Sequence, residues 1–120
     1  MSQRRGGLIQ FQVNGELYDA KGEFTYNLGR PKREPIIGAD GVHGYKETPQ
    51  VAFIEGAVTD RGALDLAKLT GIALATVTLE LANGKVVVLR DAWYAGDGTG
   101  STDEGNIDVR FEGVQGEEIR

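Results

Sequence analysis

The sequence predicts a mainly β fold: an antiparallel β-sandwich or partly closed β-barrel with one short flanking α-helix and a long loop. Two Asn-Gly pairs, at residues 14–15 and 83–84, each separate two runs of alternating apolar and polar residues. This is the pattern of a β-hairpin with a tight turn. Glycine makes up 18 of the 120 residues, about twice the usual share of ~7%, as a fold with many turns requires. With 40% hydrophobic residues, a chain of this length can bury one core, so we predict a single domain over residues 1–120.

Residues 8–20 are predicted to form the first hairpin. If Asn14 and Gly15 are the turn, Phe11 lies opposite Tyr18, and one face of the hairpin is mostly apolar while the other is mostly polar. Antiparallel strands that cover a core on one side only show this alternation.

Residues 72–94 are predicted to form a second, longer hairpin. A two-residue turn at Asn83-Gly84 places Leu79 opposite Val88 on an apolar face. We therefore expect the centre of the core to contain Leu79, Val88, Phe11 and Phe111.

The other elements follow from shorter signals. Alternation predicts strands at residues 23–27, 51–54 and 106–112. Asp60 can cap a helix that ends at Gly71. The remaining segments are predicted to be a flexible N-terminal arm at 1–7, a long loop at 29–44, a glycine-rich loop at 96–105 and a tail at 114–120.

Composition excludes several classes of function. The chain has no cysteine, so disulfides, thiolate metal sites and cysteine nucleophiles are ruled out. No apolar run approaches the ~18 residues of a membrane-spanning helix, and we expect no membrane anchor. The formal net charge is −5, and residues 97–118 hold seven acidic residues and only one basic residue, Arg110. Because affinity for nucleic acid comes mainly from Lys and Arg placed on phosphates, this chain is not expected to hold DNA or RNA.

The glycine-rich loop, GDGTGSTDEG, fits neither a phosphate nor a calcium site well. It lacks the Gly-Lys-Ser/Thr ending of a phosphate loop, and as a calcium loop starting at Asp97 it has Thr102 where a glycine is needed. A catalytic triad of His43, Ser101 and an aspartate has little support, because no nucleophile-elbow pattern surrounds the serine. We expect no cofactor, no metal and no catalytic residues.

The densest basic cluster, Arg30, Lys32 and Arg33, lies in the predicted long loop. Three interpretations stay open for it. The cluster contacts nucleic acid, it is a solvated loop balanced by Glu34 and Asp40, or it contacts the acidic region 97–118 of another copy.

Five stretches of the sequence carry a resemblance to a known family: VNGELYDAKGEFTYNLGRPKRE, IIGADGVHGYKETPQVAFIEG, VTDRGALDLAKLTG, VTLELANGKVVVLRDAWYAGDG and STDEGNIDVRFEG. In order and spacing they resemble the tail tube proteins of Mu-like, contractile-tailed bacteriophages. The resemblance covers nearly the whole chain, from about Phe11 to Gly113.

The resemblance implies a structural virion protein without catalytic residues. Its subunits would form hexameric rings that stack into the inner tail tube, through which phage DNA passes transiently into the host. The implied partners are the protein itself, the tail sheath protein, the tape-measure protein, and the tail terminator and baseplate proteins. The implied location is the virion, with the host bacterial cytoplasm before assembly. The alternatives are a tube-initiator component of a baseplate, in a contractile tail or a headless tail-like particle, and a monomeric ligand-binding β-barrel.

The resemblance also gives the candidate surfaces a role. The polar faces of the two hairpins hold no basic residue in the predicted register, and we predict that they line the lumen; the candidates are Gln10, Gln12, Asp19, Thr76, Thr78, Glu80 and Asp91. We predict that the long loop contacts a neighbouring subunit or ring, through Arg30, Lys32, Arg33, Ile36 and Ile37.

Overall fold

The computed structural model describes residues 10–60, 62, 64–102 and 105–119. The predicted N-terminal arm at 1–7 lies outside these residues. The described elements are β1 (Gln10–Val13), β2 (Glu16–Tyr18), β3 (Ala20–Asn27), β4 (Lys32–Gly38), β5 (Gly41–Thr48), β6 (Ala52–Thr59), α1 (Leu66–Thr70), β7 (Ala75–Glu80), β8 (Val86–Tyr94), β9 (Gly100–Ser101), β10 (Asn106–Gly113) and β11 (Gly116–Ile119).

Nine of these strands form one antiparallel sheet in the order β2-β1-β7-β8-β10-β6-β3, with β11 beside β8 and β9 beside β10. The two ends of this path, β2 and β3, are separated in sequence only by Asp19. The sheet must therefore curl until its ends meet, and the Thr59 N–H donates to the Asp19 carbonyl at 2.9 Å where they do. The predicted mainly β, partly closed fold is confirmed.

The core lies inside the curled sheet. Phe11 of β1 is fully buried, and its ring lies 5.1 Å from that of Phe24 on β3 and 5.9 Å from that of Phe111 on β10. Strands from both halves of the sheet thus meet in one aromatic cluster. The other fully or almost fully buried apolar residues of the core are Val13, Ala52, Ile54, Val58, Leu69, Ala75, Val77, Leu79, Val87, Leu89, Ala92, Ile107 and Val109.

The first hairpin has the predicted turn and register. Asn14 and Gly15 have φ values of 53° and 83°, as a type I′ turn requires. Phe11 pairs with Tyr18 as expected.

The second hairpin has a different turn, so its predicted register is wrong by one residue. Leu81 N–H donates to the Lys85 carbonyl at 2.8 Å across a three-residue loop, in which Gly84 takes the positive φ of 93°. Leu79 consequently pairs with Val87. Val88 is buried, but it pairs with Thr78 on the face away from the core.

A bulge on β8 restores the predicted pairing at the far end of this hairpin. The register shifts between Ala75 and Val77, so that Ala75 pairs with Ala92. Asp91 has the φ of 54° that lets the strand absorb its extra residue.

The helix is shorter than predicted and begins later. Asp65, not Asp60, is the N-cap, and its side chain accepts from the Lys68 N–H at 3.1 Å. Asp60 instead continues the strand hydrogen bonding, since its N–H donates to the Gly105 carbonyl at 2.9 Å. Gly71 ends the helix as predicted.

The strands predicted at 23–27, 51–54 and 106–112 correspond to β3, β6 and β10. Three segments predicted without regular structure contain strands. The glycine-rich loop at 96–105 contains the short β9, which pairs with β10. The tail at 114–120 contains β11, which pairs with β8 and is tied to the body by the Gly116 N–H donating to the Leu28 carbonyl. The long loop at 29–44 is largely a hairpin of β4 and β5, because their backbone groups pair with each other.

Candidate functional site

The β4–β5 hairpin, which we call the arm, is the most exposed part of the described chain. Its strands pair only with each other, from Lys32 opposite Thr48 to Gly38 opposite Gly41. All of β5 is exposed, and so is most of β4. A two-stranded hairpin is marginal alone in water, and none of the described strands of the main sheet pairs with the arm.

Side chains along the arm hold its two strands together. Arg33 pairs with Glu47 at 3.4 Å, and its guanidinium carbon lies 4.8 Å above the centre of the Tyr45 ring. Lys46 lies 4.0 Å from Glu34. These pairs are exposed, so each contributes about 0–1 kcal/mol, and they fix register more than stability.

The base of the arm is fastened to the body by several short contacts. Gln50 donates from its side chain to the Arg30 carbonyl at 2.9 Å. Gly29, with φ of 79°, lies so close to β6 that a Cβ there would be 2.9 Å from the Cβ of Ala52. Its N–H donates to the Asn27 side chain at 2.8 Å. Pro31 and Pro49 flank the two strands of the arm and restrict φ on either side.

The far end of the arm, which we call the arm tip, exposes three apolar side chains. Ile37 and Val42 pair across the hairpin and are each 71% exposed, and Ile36 is 46% exposed. Beside them, His43 Nε2 donates to the Asp40 carboxylate at 2.6 Å. The prediction included both isoleucines but missed Val42, which the Ile-Ile-Gly-x-x-Gly-Val pattern of a hairpin end could have revealed.

A second apolar surface, the base groove, lies where the arm joins the body. It is an open depression of about 490 Å³ lined by Gly29, Pro31, Pro49, Gln50, Val51, Trp93, Gly113 and Val114. Val114 is 81% exposed, and Val51 and Trp93 are partly exposed. Sequence reasoning missed this groove, because four separate segments of the chain converge on it.

Four of the seven predicted lumen residues form one continuous polar patch. β1 pairs with β7 so that Gln10 lies beside Glu80 and Gln12 beside Thr78. Thr76 continues the same side of β7, and it is exposed. Asp19 lies apart, at the corner between β2 and β3, and Asp91 occupies the β8 bulge.

The shifted register changes the charge of this polar face. Arg90 is not among the residues predicted for the polar face, but it follows Val88 by two residues and therefore lies on that face. It is not left as an uncompensated cation, because it lies 2.8 Å from Glu117 on β11. The absence of a basic residue from this face was therefore a wrong expectation, although the ion pair keeps the local charge close to neutral.

Acidic residues of region 97–118 are largely engaged within the subunit. Glu112 and Glu55 hold Arg110 at 2.8 and 3.3 Å, and Lys85 lies 3.1 Å from Glu118. Asp97 accepts from Thr99 in a local turn, which lowers the pKa of its carboxyl. Among the described residues, no ion pair occupies Arg30 or Lys32, so these two cations of the arm base are the ones open to a partner.

Other candidate chemistry finds little structural basis in the described residues. They bring together no group of three potential metal ligands, and Asp103 and Glu104 of the glycine-rich loop lie outside them. His43 projects with the arm rather than into a cleft. None of the described helical structure is long and apolar enough to cross a membrane.

Comparisons with known proteins agree on one family. Residues 2–118 match the family described as phage tail tube protein. The chain is 31% identical to the Mu-like prophage FluMu tail tube protein of Haemophilus influenzae over 114 aligned residues. The alignment covers 95% of this chain and 94% of that protein.

Two solved structures share the fold at low sequence identity. One is the sheath/tube terminator of the extracellular contractile injection system PVC, with a TM-score of 0.65, 12% identity and 93% of each chain covered. The other is the tube-terminating cap of the anti-feeding prophage, with a TM-score of 0.62, 8% identity, and 98% of this chain and 89% of that chain covered.

Proposed function

Since the chain belongs to the phage tail tube protein family, we propose that it is the subunit of hexameric rings that stack into the inner tube of a contractile tail. Phage DNA passes through this tube into the host. The observation that carries the proposal is the arm: a hairpin with exposed apolar side chains at its tip, which the described residues leave uncovered. Such a surface is typical of a protein that is completed by its neighbours.

The polar face of β1 and β7 lines the lumen in this proposal. Gln10, Gln12, Thr78 and Glu80 offer hydrogen-bonding groups without a free cation, and Arg90 is held by Glu117. A positively charged wall would bind each passing phosphate, whereas a neutral or negative wall allows DNA to slide. Asp19, Thr76 and Asp91 lie at the margins of this surface.

The arm contacts a neighbouring subunit or ring. Lys32 and Arg30 at its base are available for acidic groups of that neighbour, and Ile36 and Ile37 at its tip for apolar ones. Each exposed ion pair is worth little, so the strength of the contact comes from its repetition around a ring.

The remaining partners follow from this position in a tail. The outer surface of the tube meets the tail sheath protein, the lumen holds the tape-measure protein, and the tube ends meet terminator and baseplate proteins. The protein occupies the host bacterial cytoplasm before assembly and the virion afterwards. We assign no cofactor and no catalytic role.

Electron microscopy of the purified protein tests the proposal. Long hollow tubes with sixfold end views are the expected result. Single rings that do not stack, at any protein concentration, would favour the tube-initiator alternative. A protein that stays monomeric at all concentrations and salt conditions would contradict both and leave the monomeric β-barrel.

A further inference from the structure

The described subunit carries two uncovered apolar surfaces at opposite ends of the arm. The arm tip presents Ile36, Ile37 and Val42, and the base groove presents Val51, Trp93 and Val114. Each surface exposes apolar area to water at a cost of about 25 cal/mol per Å² relative to burial. Both therefore favour a partner that removes them from water.

The arm cannot cover its own groove. Six residue steps separate the Lys32–Thr48 pair at its base from the Gly38–Gly41 pair at its end, which is about 20 Å at ~3.3 Å per residue. The two strands pair along this distance with one irregularity, between Pro35 and Ile37, so the tip cannot fold back without losing the hairpin. Any contact between the two surfaces joins two molecules.

The lining of the base groove specifies an apolar occupant. Gln50 is its main polar side chain, and that amide already donates to the Arg30 carbonyl. Gly29 and Gly113 contribute no side chains and leave the depression open. A small-molecule site would be expected to present a few convergent polar groups, and this groove does not.

We propose that the base groove of one subunit receives the arm tip of a second copy. This inference rests on the proposed function, to which it adds the acceptor site of the arm. Ile37 and Val42 are the most exposed apolar side chains of the tip, and they lie side by side as a pair. They match the groove in chemistry, and the groove in turn holds the sole tryptophan of the chain, Trp93.

The contact is head-to-tail. Its two sides are different surfaces of the same chain, so each subunit that donates a tip still has a free groove. A heterologous contact of this kind closes into a ring or continues as an open array, according to the rotation between successive copies. Stacked rings need such a contact in its open form.

Disulfide trapping tests the proposal directly, because the chain has no cysteine of its own. Ile37→Cys protein mixed with Val114→Cys protein should give a heterodimer under mild oxidation, more than tenfold in excess of either homodimer. The double variant Ile37→Cys/Val114→Cys should give a ladder of covalent oligomers. Equal homodimer formation by Ile37→Cys alone would overturn the proposal, since it would mean that tips meet tips.

Trp93 fluorescence is the second readout. On assembly its emission should shift to the blue and its quenching by acrylamide should fall at least threefold. Ile37→Ser should abolish both changes, whereas Leu74→Ser, which alters an equally exposed residue outside the arm (76% exposed), should retain them.

The outcomes separate this inference from the proposed function. If tubes form but Trp93 in them is quenched as strongly as in the free subunit, and the two cysteine variants give no heterodimer, the tip-in-groove contact is overturned. The tube assignment then stays intact. A wild-type protein that forms neither tubes nor rings contradicts the tube assignment. In that case the absence of the mixed heterodimer at high concentration also overturns the contact.

Discussion

The side chain of Asn14 accepts a hydrogen bond from the Thr76 N–H at 2.9 Å, and the Asn14 N–H donates to the Thr76 carbonyl at 2.8 Å. This reciprocal pair joins the turn of the first hairpin to the start of β7, 62 residues later in the chain. The turn residue therefore has two tasks: it adopts a positive φ, and it positions β1 against β7.

Substitutions at Asn14 can separate these tasks. Asn14→Gly permits the positive φ but removes the acceptor, and it should lower the free energy of unfolding by about 1 kcal/mol, the usual worth of such a bond. Asn14→Asp retains both features and should stay close to wild type. Chemical denaturation measures the difference, and equal stability of the glycine and aspartate variants would mean that the bond contributes nothing.

Leu79→Ala should destabilise the subunit strongly. Leu79 is completely buried in the core, and truncation of such a leucine costs about 2–5 kcal/mol. Thr78→Ala, one residue away on the opposite face, should change the free energy of unfolding by less than ~0.5 kcal/mol. If the two variants unfolded at the same denaturant concentration, the assignment of the two faces would be wrong.

Gly56→Ala should also destabilise the subunit, for a different reason. A Cβ on Gly56 would lie 2.5 Å from the ring of Phe24, so the ring must move out of its contact with Phe11. Overpacking of this kind costs about 1–3 kcal/mol. Gly100→Ala is the matched control, because its nearest neighbour, Ile107, is at an ordinary 3.5 Å. Thermal unfolding should show a lower midpoint for the first variant only.

Thr78→Cys should be protected from a bulky thiol reagent in assembled tubes. The proposal places this residue in the lumen, where the reagent arrives only through the tube ends. Thr25→Cys, exposed on the other half of the sheet, is the comparison, and both variants should react in the free subunit. Rapid labelling of Thr78→Cys along intact tubes would contradict the orientation.

Lys32→Glu should impair polymerisation and leave the folded subunit intact. Lys32 is exposed and has no ion-pair partner among the described residues, so its reversal costs the subunit little. Lys32→Arg retains the charge and should assemble normally. If the partner is acidic region 97–118 of a neighbour, Asp108→Lys should partly restore assembly of the glutamate variant, as followed by light scattering and sedimentation. Normal tubes that retain or release DNA abnormally would indicate a nucleic-acid contact instead.

Alkaline pH should destabilise the fold through Tyr94. Burial raises the pKa of its phenol above the 10.0 of an exposed tyrosine. The folded state therefore keeps this proton when the unfolded state has lost it, and the free energy of unfolding falls as pH rises above 10. Tyr94→Phe should show a smaller loss between pH 9 and 11 than Tyr26→Phe, whose side chain is more exposed. Equal losses in denaturant titrations would contradict this role of burial.

The two Asn-Gly pairs illustrate how far local sequence determines this fold. Asn14-Gly15 forms the predicted turn, whereas Asn83-Gly84 is part of a three-residue loop that shifts the register by one. The dipeptide is the same in both, so the difference comes from what the strands pack against. In the second hairpin the β8 bulge at Asp91 compensates for the shift, and a bulge in the middle of a strand leaves no periodic signal.

The candidate surfaces were predictable to different degrees. Gln10, Gln12, Thr78 and Glu80 come together because alternation along each strand is a local property. The arm was predicted as a loop because Pro35 and its glycines resemble turn residues, although a strand with no neighbour on one side tolerates proline. The base groove was beyond prediction, because Trp93 meets Val51 and Val114 only after the sheet has curled.

The fastening of the arm base has a mechanical consequence. An element about 20 Å long acts as a lever, and a change of 10° at its root displaces its far end by about 3.5 Å, nearly the width of a methyl group. The close approach of Gly29 to Ala52, the bond from Gln50 to the Arg30 carbonyl and the two flanking prolines all act at the pivot. A substitution at this pivot would be amplified into misalignment of the arm tip, so in the proposed assembly the precision of the contact depends on the pivot as well as on the tip.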